Sequence, residues 1–372
     1  MPTEAAAIGA LSRIVDRLVN TTAARTVPVA RPEVVEFHRR IPVVDLLVGS
    51  VLFRRQFLDR RIHGHADLPR LQQAGVDLVG LTIATRHPDL RGTLSGPQFL
   101  SLGVPVRSLR SNMAIAEFLV RRIRGWAEAS DRLLRLTDLV SGAAVAPRPG
   151  GSVGAFIGVQ GGHVLDGDLR NVGRLRELGV RMLAPAHVMD NALVGSNTGV
   201  RRGSLTAFGR EVVEELQRQR IVVDLAHMSS AGIREALPLL SRPFVVSHTG
   251  FTALSGRRGR RRFSPANRNL STTDLQLVGA AGGVVGVVCS TLLVGGEGVG
   301  DVVDSFRFAV DQVGPQAVAL GSDFDGALRM PFDVTGLPLL TQGLLDGGLD
   351  RQDVAAVMGG NALQVLGDAG GQ

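Results

Sequence analysis

Three histidines and two aspartates stand at the ends of apolar runs in this chain. "RMLAPAH" ends in His187, "RIVVDLAH" in His227 and "PFVVSH" in His248, while "ALGSDFDG" carries Asp323 and Asp325. "FIGVQGGH" ends in Gln160 with His163 close behind. One terminal histidine is often a satisfied structural side chain. Several of them on consecutive strand-like segments, with a carboxylate, form a donor set instead. Neutral imidazoles and a carboxylate suit zinc or another first-row divalent metal. Such an ion lowers the pKa of a bound water to about 7, which makes hydroxide available near neutrality. A second stretch, "IHGHADLP" (62–69), places His63, His65 and Asp67 at alternating positions, a spacing that also suits a pair of metal ligands.

These groups can meet only if the runs that carry them are neighbouring strands. Eight candidate strands recur along the chain, at 41–48, 76–85, 153–159, 181–187, 220–227, 243–248, 282–290 and 317–324. They are continuously apolar, as parallel strands buried on both faces are. Helical patterns lie between them: "NMAIAEFLVRRIRGWAEASDRLLRL", "DLRNVGRLREL", "SLTAFGREVVEELQRQR", "STTDLQLVGAA" and "DVVDSFRFAVDQV". Alternation of this kind predicts an α/β fold, a (β/α)8 TIM-type barrel. An open doubly wound sheet is the runner-up, weakened by the lack of a G-x-G-x-x-G or P-loop after any strand. Residues 1–40 are expected to form a helical extension outside the barrel, with "EAAAIGALSRIVDRLVN" as an amphipathic surface helix. Residues 41–368 form the single barrel. In such a barrel the chemistry lies at the C-terminal ends of the strands, where the polar residues above fall.

Composition narrows the function classes. The 372 residues carry a net charge of +7 and 44% hydrophobic residues, enough for a sizeable core. The sequence pI of about 11.1 invites a nucleic-acid reading. All 41 basic residues are arginine, however, and arginine titrates above about 12, so a modest excess raises the pI this far. Aromatic residues for base stacking make up only 4%. The expectation is therefore no nucleic-acid partner. The dense cluster "GRRGRRRFSPANR" (256–268) reads as a solvated loop or as an anion-attracting rim; segment 256–262 is expected to line the mouth. No apolar run approaches the ~18 residues of a membrane span, so no membrane partner and a cytoplasmic location are expected. Cys289, the one cysteine, sits in an apolar run and reads as core packing.

The ordered phrases "GHADLPRLQQAGVDLVGLTIAT", "GVQGGHVL", "LRELGVRMLAPAHVMDN", "SLTAFGREVVEELQRQRIVVDLAHMS", "PFVVSHTGFTAL", "NRNLSTTDLQLVGAAGGVVGV", "LGSDFDG" and "GGNALQVL" span about residues 41–366. In them the chain resembles the membrane dipeptidase (renal dipeptidase) family of zinc metallopeptidases, within the amidohydrolase-like barrels. The resemblance implies a small dipeptide-like substrate and a homodimer as one state. It implies two zinc ions, held by a first-strand His-x-Asp pair, by two later histidines and by a bridging Glu. The later histidines carry over to His227 and His248, and the substrate-contacting histidine to His187. The arginine for the substrate carboxylate carries over to Arg268, with Asn269 beside it, and the proton-shuttling aspartate to Asp323.

Three ligand positions depart from that pattern. Asp45 in "VVDLLVGS" aligns with the family's leading aspartate, which puts the His-x-Asp positions on Leu47 and Gly49. Neither can bind a metal through its side chain. Gln160, a weaker neutral donor, stands where the bridging Glu belongs. "IHGHADLP" matches a later phrase, expected at the start of the second strand and away from catalysis, so His63 and His65 are read as structural. The remaining set, His227 and His248 with Gln160 as a weak donor or Asp323 in its place, and water, predicts one zinc, or another divalent metal, per chain. Two functions follow: a metal-dependent hydrolase of dipeptide-like amides, or a catalytically inactive homologue that binds a small carboxylate or a protein partner.

Overall fold

All eight apolar runs become strands. They are β1 (Val44–Val48), β2 (Leu78–Ala84), β3 (Val153–Gln160), β4 (Val180–Ala184), β5 (Val222–Val223), β6 (Val245–Thr249), β7 (Val284–Val287) and β8 (Val318–Leu320). The computed structural model describes residues 12–23, 28–53, 55–88, 94–95, 103–137, 151–255 and 264–370. Every neighbouring pair is parallel, in the order β6-β7-β8-β1-β2-β3-β4-β5. A parallel bridge between Asp224 and Val245 closes the ring from β5 to β6. The predicted (β/α)8 barrel is the fold.

Uninterrupted apolar strands make sense in this ring because both faces are buried. Outward side chains pack under the helices. Inward ones, including Val44, Leu46, Leu78, Phe156, Met182 and Val222, fill the lower interior against Ala362, Val365 and Leu366 of the C-terminal helix Asn361–Gly370. The lower barrel is therefore a plugged core, and open space is left only toward the C-terminal ends of the strands.

Two local readings change. The long helix expected from residue 112 ends at Ala129 on the Ser130 cap. Asp131 and Arg132 then take positive φ, and Leu134–Leu136 runs as a short strand beside β3. Apolar spacing continued past the point where the backbone turned. Residues 12–19 are helical, but the polar side faces inward. Ser12, Asp16 and Asn20 are buried, whereas Ile14 and Leu18 are 55% and 73% exposed. Buried ion pairing draws this face in. Arg55 bonds Asp16 on one side and Asp325 on the other, and Asn20 Oδ1 accepts from the Ala327 amide (2.9 Å). Thr21–Thr22 pairs in parallel with Arg329–Met330. The arginine-rich stretch 256–262 lies outside the described residues. No helix among the described residues is long and apolar enough to cross a membrane.

Candidate functional site

A cavity of about 290 Å³ opens at the C-terminal ends of the strands, near the lower edge of the roughly 300–1,000 Å³ usual for small-molecule sites. The structure brings Gln160, His187, His227, His248, Arg268 and Asp323 to its wall, as the sequence predicts. Leu47 and Gly49 line it as well.

The β5–β6 side is the organised half. Asp224 is buried and Oδ1 accepts from the amides of Ser247 (2.8 Å) and Ala226 (2.9 Å). Its Oδ2 accepts from Ser247 Oγ. That hydroxyl has spent its proton on Asp224, so it accepts from His248 Nδ1 at 2.8 Å. The His248 tautomer is thereby set, with Nε2 as the lone-pair nitrogen toward the cavity. His227 Nε2 lies 3.0 Å from His248 Nε2. Two lone pairs at that distance repel unless a proton or a cation lies between them or neighbouring donors offset them; Arg268 Nη2 and Gln160 Nε2 each stand 3.3 Å from one of the two nitrogens. His227 is placed there by a left-handed backbone (φ 64°) just past β5, a conformation that non-glycine residues adopt mostly where surrounding structure imposes it. Arg268 Nη2 donates to the His248 carbonyl (3.1 Å) and reaches His227 Nε2 at 3.3 Å. Burial, and next the Arg268 charge, hold both imidazoles well below the usual histidine range. Burial lowers Arg268 to about 10, so it stays a cation at neutrality.

The β8–β1 side repeats the device. Asp45 Oδ1 accepts from the amides of Ser322 (2.9 Å) and Leu47 (3.2 Å), and its Oδ2 accepts from Ser322 Oγ. Asp323 follows with φ 59°. Its carboxyl lies 3.9 Å from His248 Nε2, and burial pushes it up to about 7. Each aspartate–serine pair spans a thin seam of the barrel. One register pair, Leu320 with Asp45, joins β8 to β1, and one bridge joins β5 to β6. Nothing in the sequence reading singled out these pairs, although "VVDLLV" beside "VVDLAH", and "SH" beside "SD", carry the signal.

A metal can be weighed against these donors. Two nitrogens on one tetrahedral zinc, each about 2.1 Å away, lie about 3.4 Å apart. The 3.0 Å between the Nε2 atoms of His227 and His248 is close to that. The Ser247–Asp224 chain behind His248 is the outer-shell partner a ligating imidazole needs. His227 Nδ1, by contrast, is buried without a hydrogen-bond partner. Among the described residues no three His, Cys, Asp or Glu side chains converge as a ligand set. On β1 the donors are gone, and the space for one is gone too. A Cβ on Gly49 would fall 2.7 Å from the Asp325 carbonyl oxygen. A pair of ions does not fit this site. A single ion fits as far as His227 and His248 go, with the Asp323 carboxyl 3.9 Å from His248 Nε2; Gln160 turns its amide Nε2 to that nitrogen (3.3 Å) and would have to present Oε1 instead to bind a metal.

Two sequence readings need correction. Asn269 is not at the cavity. Its Nδ2 donates to Ser255 Oγ and the Leu293 carbonyl (both 2.8 Å) and ties two loops together. "IHGHADLP" is not at the start of β2. It closes the loop after β1, on the mouth side, just before the helix Leu68–Gln73 capped by Asp67. His65 is structural as expected: fully buried, with Nδ1 accepting from the Asp325 amide (3.0 Å) and Nε2 bonded to the Thr21 carbonyl (2.9 Å).

Residues 31–370 match the family model described as membrane dipeptidase, peptidase family M19. The chain belongs to the membrane dipeptidase family. It is 27% identical over 328 residues to Dipeptidase aclJ of Aspergillus oryzae, covering 85% of this chain and 73% of that protein. It is 29% identical over 329 residues to Dipeptidase 3 of Mus musculus, covering 82% of this chain but 63% of the mouse protein. A solved metallopeptidase from Rhodobacter sphaeroides shares the fold, with a TM-score of 0.73 at 22% identity, over 88% of this chain and 99% of that one. As a family member, this chain has relatives that are dipeptidases, and of the five ligands that the resemblance implies its site carries the two histidines, His227 and His248.

Proposed function

We propose that this chain hydrolyses dipeptide-like amides with one divalent ion, zinc in the first instance, in place of the family's two. The observation that carries the proposal is the approach of His227 and His248 to 3.0 Å between their Nε2 atoms, with Arg268 against both residues. A zinc ion there would supply a water acidified to a pKa of about 7 and a Lewis acid for the amide carbonyl. Arg268, buried and cationic, would take the substrate carboxylate in a bidentate bond. His187, whose ring centre lies 4.8 Å from that of His227, would donate to the oxygen that gains charge as the carbonyl is attacked. Asp323 would hold the proton from the attacking water and pass it to the departing nitrogen. Its carboxyl lies 3.9 Å from His248 Nε2, within reach of a water held there.

The test is metal content and turnover on one preparation. About one equivalent of zinc or manganese per chain, lost with activity in His248→Ala, supports the reading. Two equivalents, or turnover that survives His248→Ala, overturns it. The second reading, an inactive barrel that binds a small carboxylate, is favoured by Leu47, Gly49 and Gln160. It predicts no metal and no turnover, with carboxylate binding that depends on Arg268.

A further inference from the structure

The changes on β1 alter what the cavity can hold as well as what can bind a metal. In a ring of eight strands, β1 and β2 face β5 and β6 across the mouth. Arg268 stands against His227 and His248 on the β5–β6 side. A ligand carboxylate held there sends the rest of its molecule toward Leu47, Leu52, Ile83 and Ala84. These four side chains are buried to 8% exposure or less, and none carries a polar group. Leu292 and Leu328 continue the apolar lining at the loops. Asp323 is the one acid among the described lining residues, and it stands past the end of β8 with its carboxyl 3.9 Å from His248 Nε2. A free dipeptide carries an α-ammonium at the end opposite its carboxylate. Thr82 and Gln160 line the cavity beside these residues but are neutral, so against this wall that charge would lose its water and gain no carboxylate partner, an arrangement proteins avoid. An uncharged acyl chain would bury apolar surface in the same place.

We infer that the substrate is an N-acyl amino acid, with a free carboxylate and an apolar acyl group, and that an unblocked dipeptide is the poorer ligand. The inference rests on the proposed role of Arg268. The reaction would add water across the amide. The acyl carbon gains the water oxygen, the C–N bond breaks, and the nitrogen leaves with a proton as the free amino acid.

Titration calorimetry on the full chain as purified separates the possibilities, with N-hexanoyl-leucine, Leu-Leu and N-hexanoyl-leucinamide as probes. The expected result is a Kd for N-hexanoyl-leucine at least tenfold below that for Leu-Leu. The leucinamide, which lacks the carboxylate, should bind at least tenfold more weakly than the acid. Leu47→Asp should narrow or reverse the preference. If that variant does not fold, Leu47→Ala should weaken N-hexanoyl-leucine while leaving Leu-Leu within twofold. Leu-Leu binding as tightly as N-hexanoyl-leucine, through Asp323 or otherwise, overturns the inference and leaves the role of Arg268 standing. If the acid and the leucinamide bind alike, or none of the three binds, the role of Arg268 fails and the inference fails with it.

Discussion

Ser247 is the smallest group in the site with a large predicted effect. Its hydroxyl is buried, donates to Asp224 Oδ2 and accepts from His248 Nδ1 at 2.8 Å. Ser247→Ala removes both bonds and leaves little room for repair. Asp224 keeps two amide donors, from Ser247 and Ala226, but both serve Oδ1. A buried carboxylate oxygen without a donor costs about 1–3 kcal/mol, and a freed imidazole N–H adds a penalty of similar kind. The expected destabilisation is about 2–4 kcal/mol by urea unfolding. The comparison variant is Ser322→Ala. Ser322 makes the matching bonds to Asp45, and its hydroxyl accepts from the Phe324 amide (3.0 Å) where Ser247 serves an imidazole. It should cost about 1–3 kcal/mol and leave His248 unchanged. Imidazole ¹⁵N shifts then read the tautomer: the His248 signals should change in Ser247→Ala and hold in Ser322→Ala. A Ser247→Ala protein within about 0.5 kcal/mol of the parent would refute the reasoning. So would a His248 signal that moves equally in both variants.

Gly49→Ala should destabilise the chain by about 1–3 kcal/mol, because the new Cβ meets the Asp325 carbonyl at 2.7 Å; thermal unfolding checks it, and a neutral result would show that the turn yields freely. Arg55→Leu should cost about 3–5 kcal/mol by leaving Asp16 and Asp325 buried without their cation, measured by urea unfolding. Asp45 gives a pH test. Burial pushes its folded pKa to about 7, above an unfolded value of about 3.9, so the native state holds the extra proton between those limits. Its contribution is fully present below about pH 4 and is lost as the pH rises to about 7. The stability of the parent relative to Asp45→Asn should therefore fall across that window and level off above it; a difference that grows with pH would show the sign to be wrong.

The barrel was legible because burial on both faces writes each parallel strand as a continuous apolar run. The site was legible where a strand simply stops: His187, His227, His248 and Asp323 each follow such a run, so fold and function share one signal. Arg268 carried no such mark and came through family resemblance. Asn269 came the same way and failed, because adjacency to Arg268 in sequence says nothing about which loop its amide ties. Asp16 read as a surface residue because helical spacing gives the face of a helix and not what the face meets. Its partner Arg55 lies 39 positions along the chain, and Asp325, the second aspartate on that arginine, lies 309 positions along. Interactions that depend on such distant partners have no local pattern.

The two aspartate–serine pairs explain how half of the metal apparatus could disappear while the barrel kept its shape. Asp45, which the resemblance sets at the family's leading aspartate, makes structural bonds: it joins β1 to Ser322 across the seam between β8 and β1. Loss of side-chain donors at Leu47 and Gly49 leaves that seam intact. Beside Gly49 the Asp325 backbone leaves no room for a Cβ, and Asp325 is held in place by Arg55 and by the amides of His65 and Ala66. Restoring a carboxylate at position 49 alone would meet that backbone before it met a metal. On the opposite seam, Asp224 and Ser247 do the same closing work and in addition orient His248. The seam whose structural support also touches His248 is the one that keeps both histidines proposed as ligands. That is a reason, independent of any activity, to look for one metal position in this chain and not two.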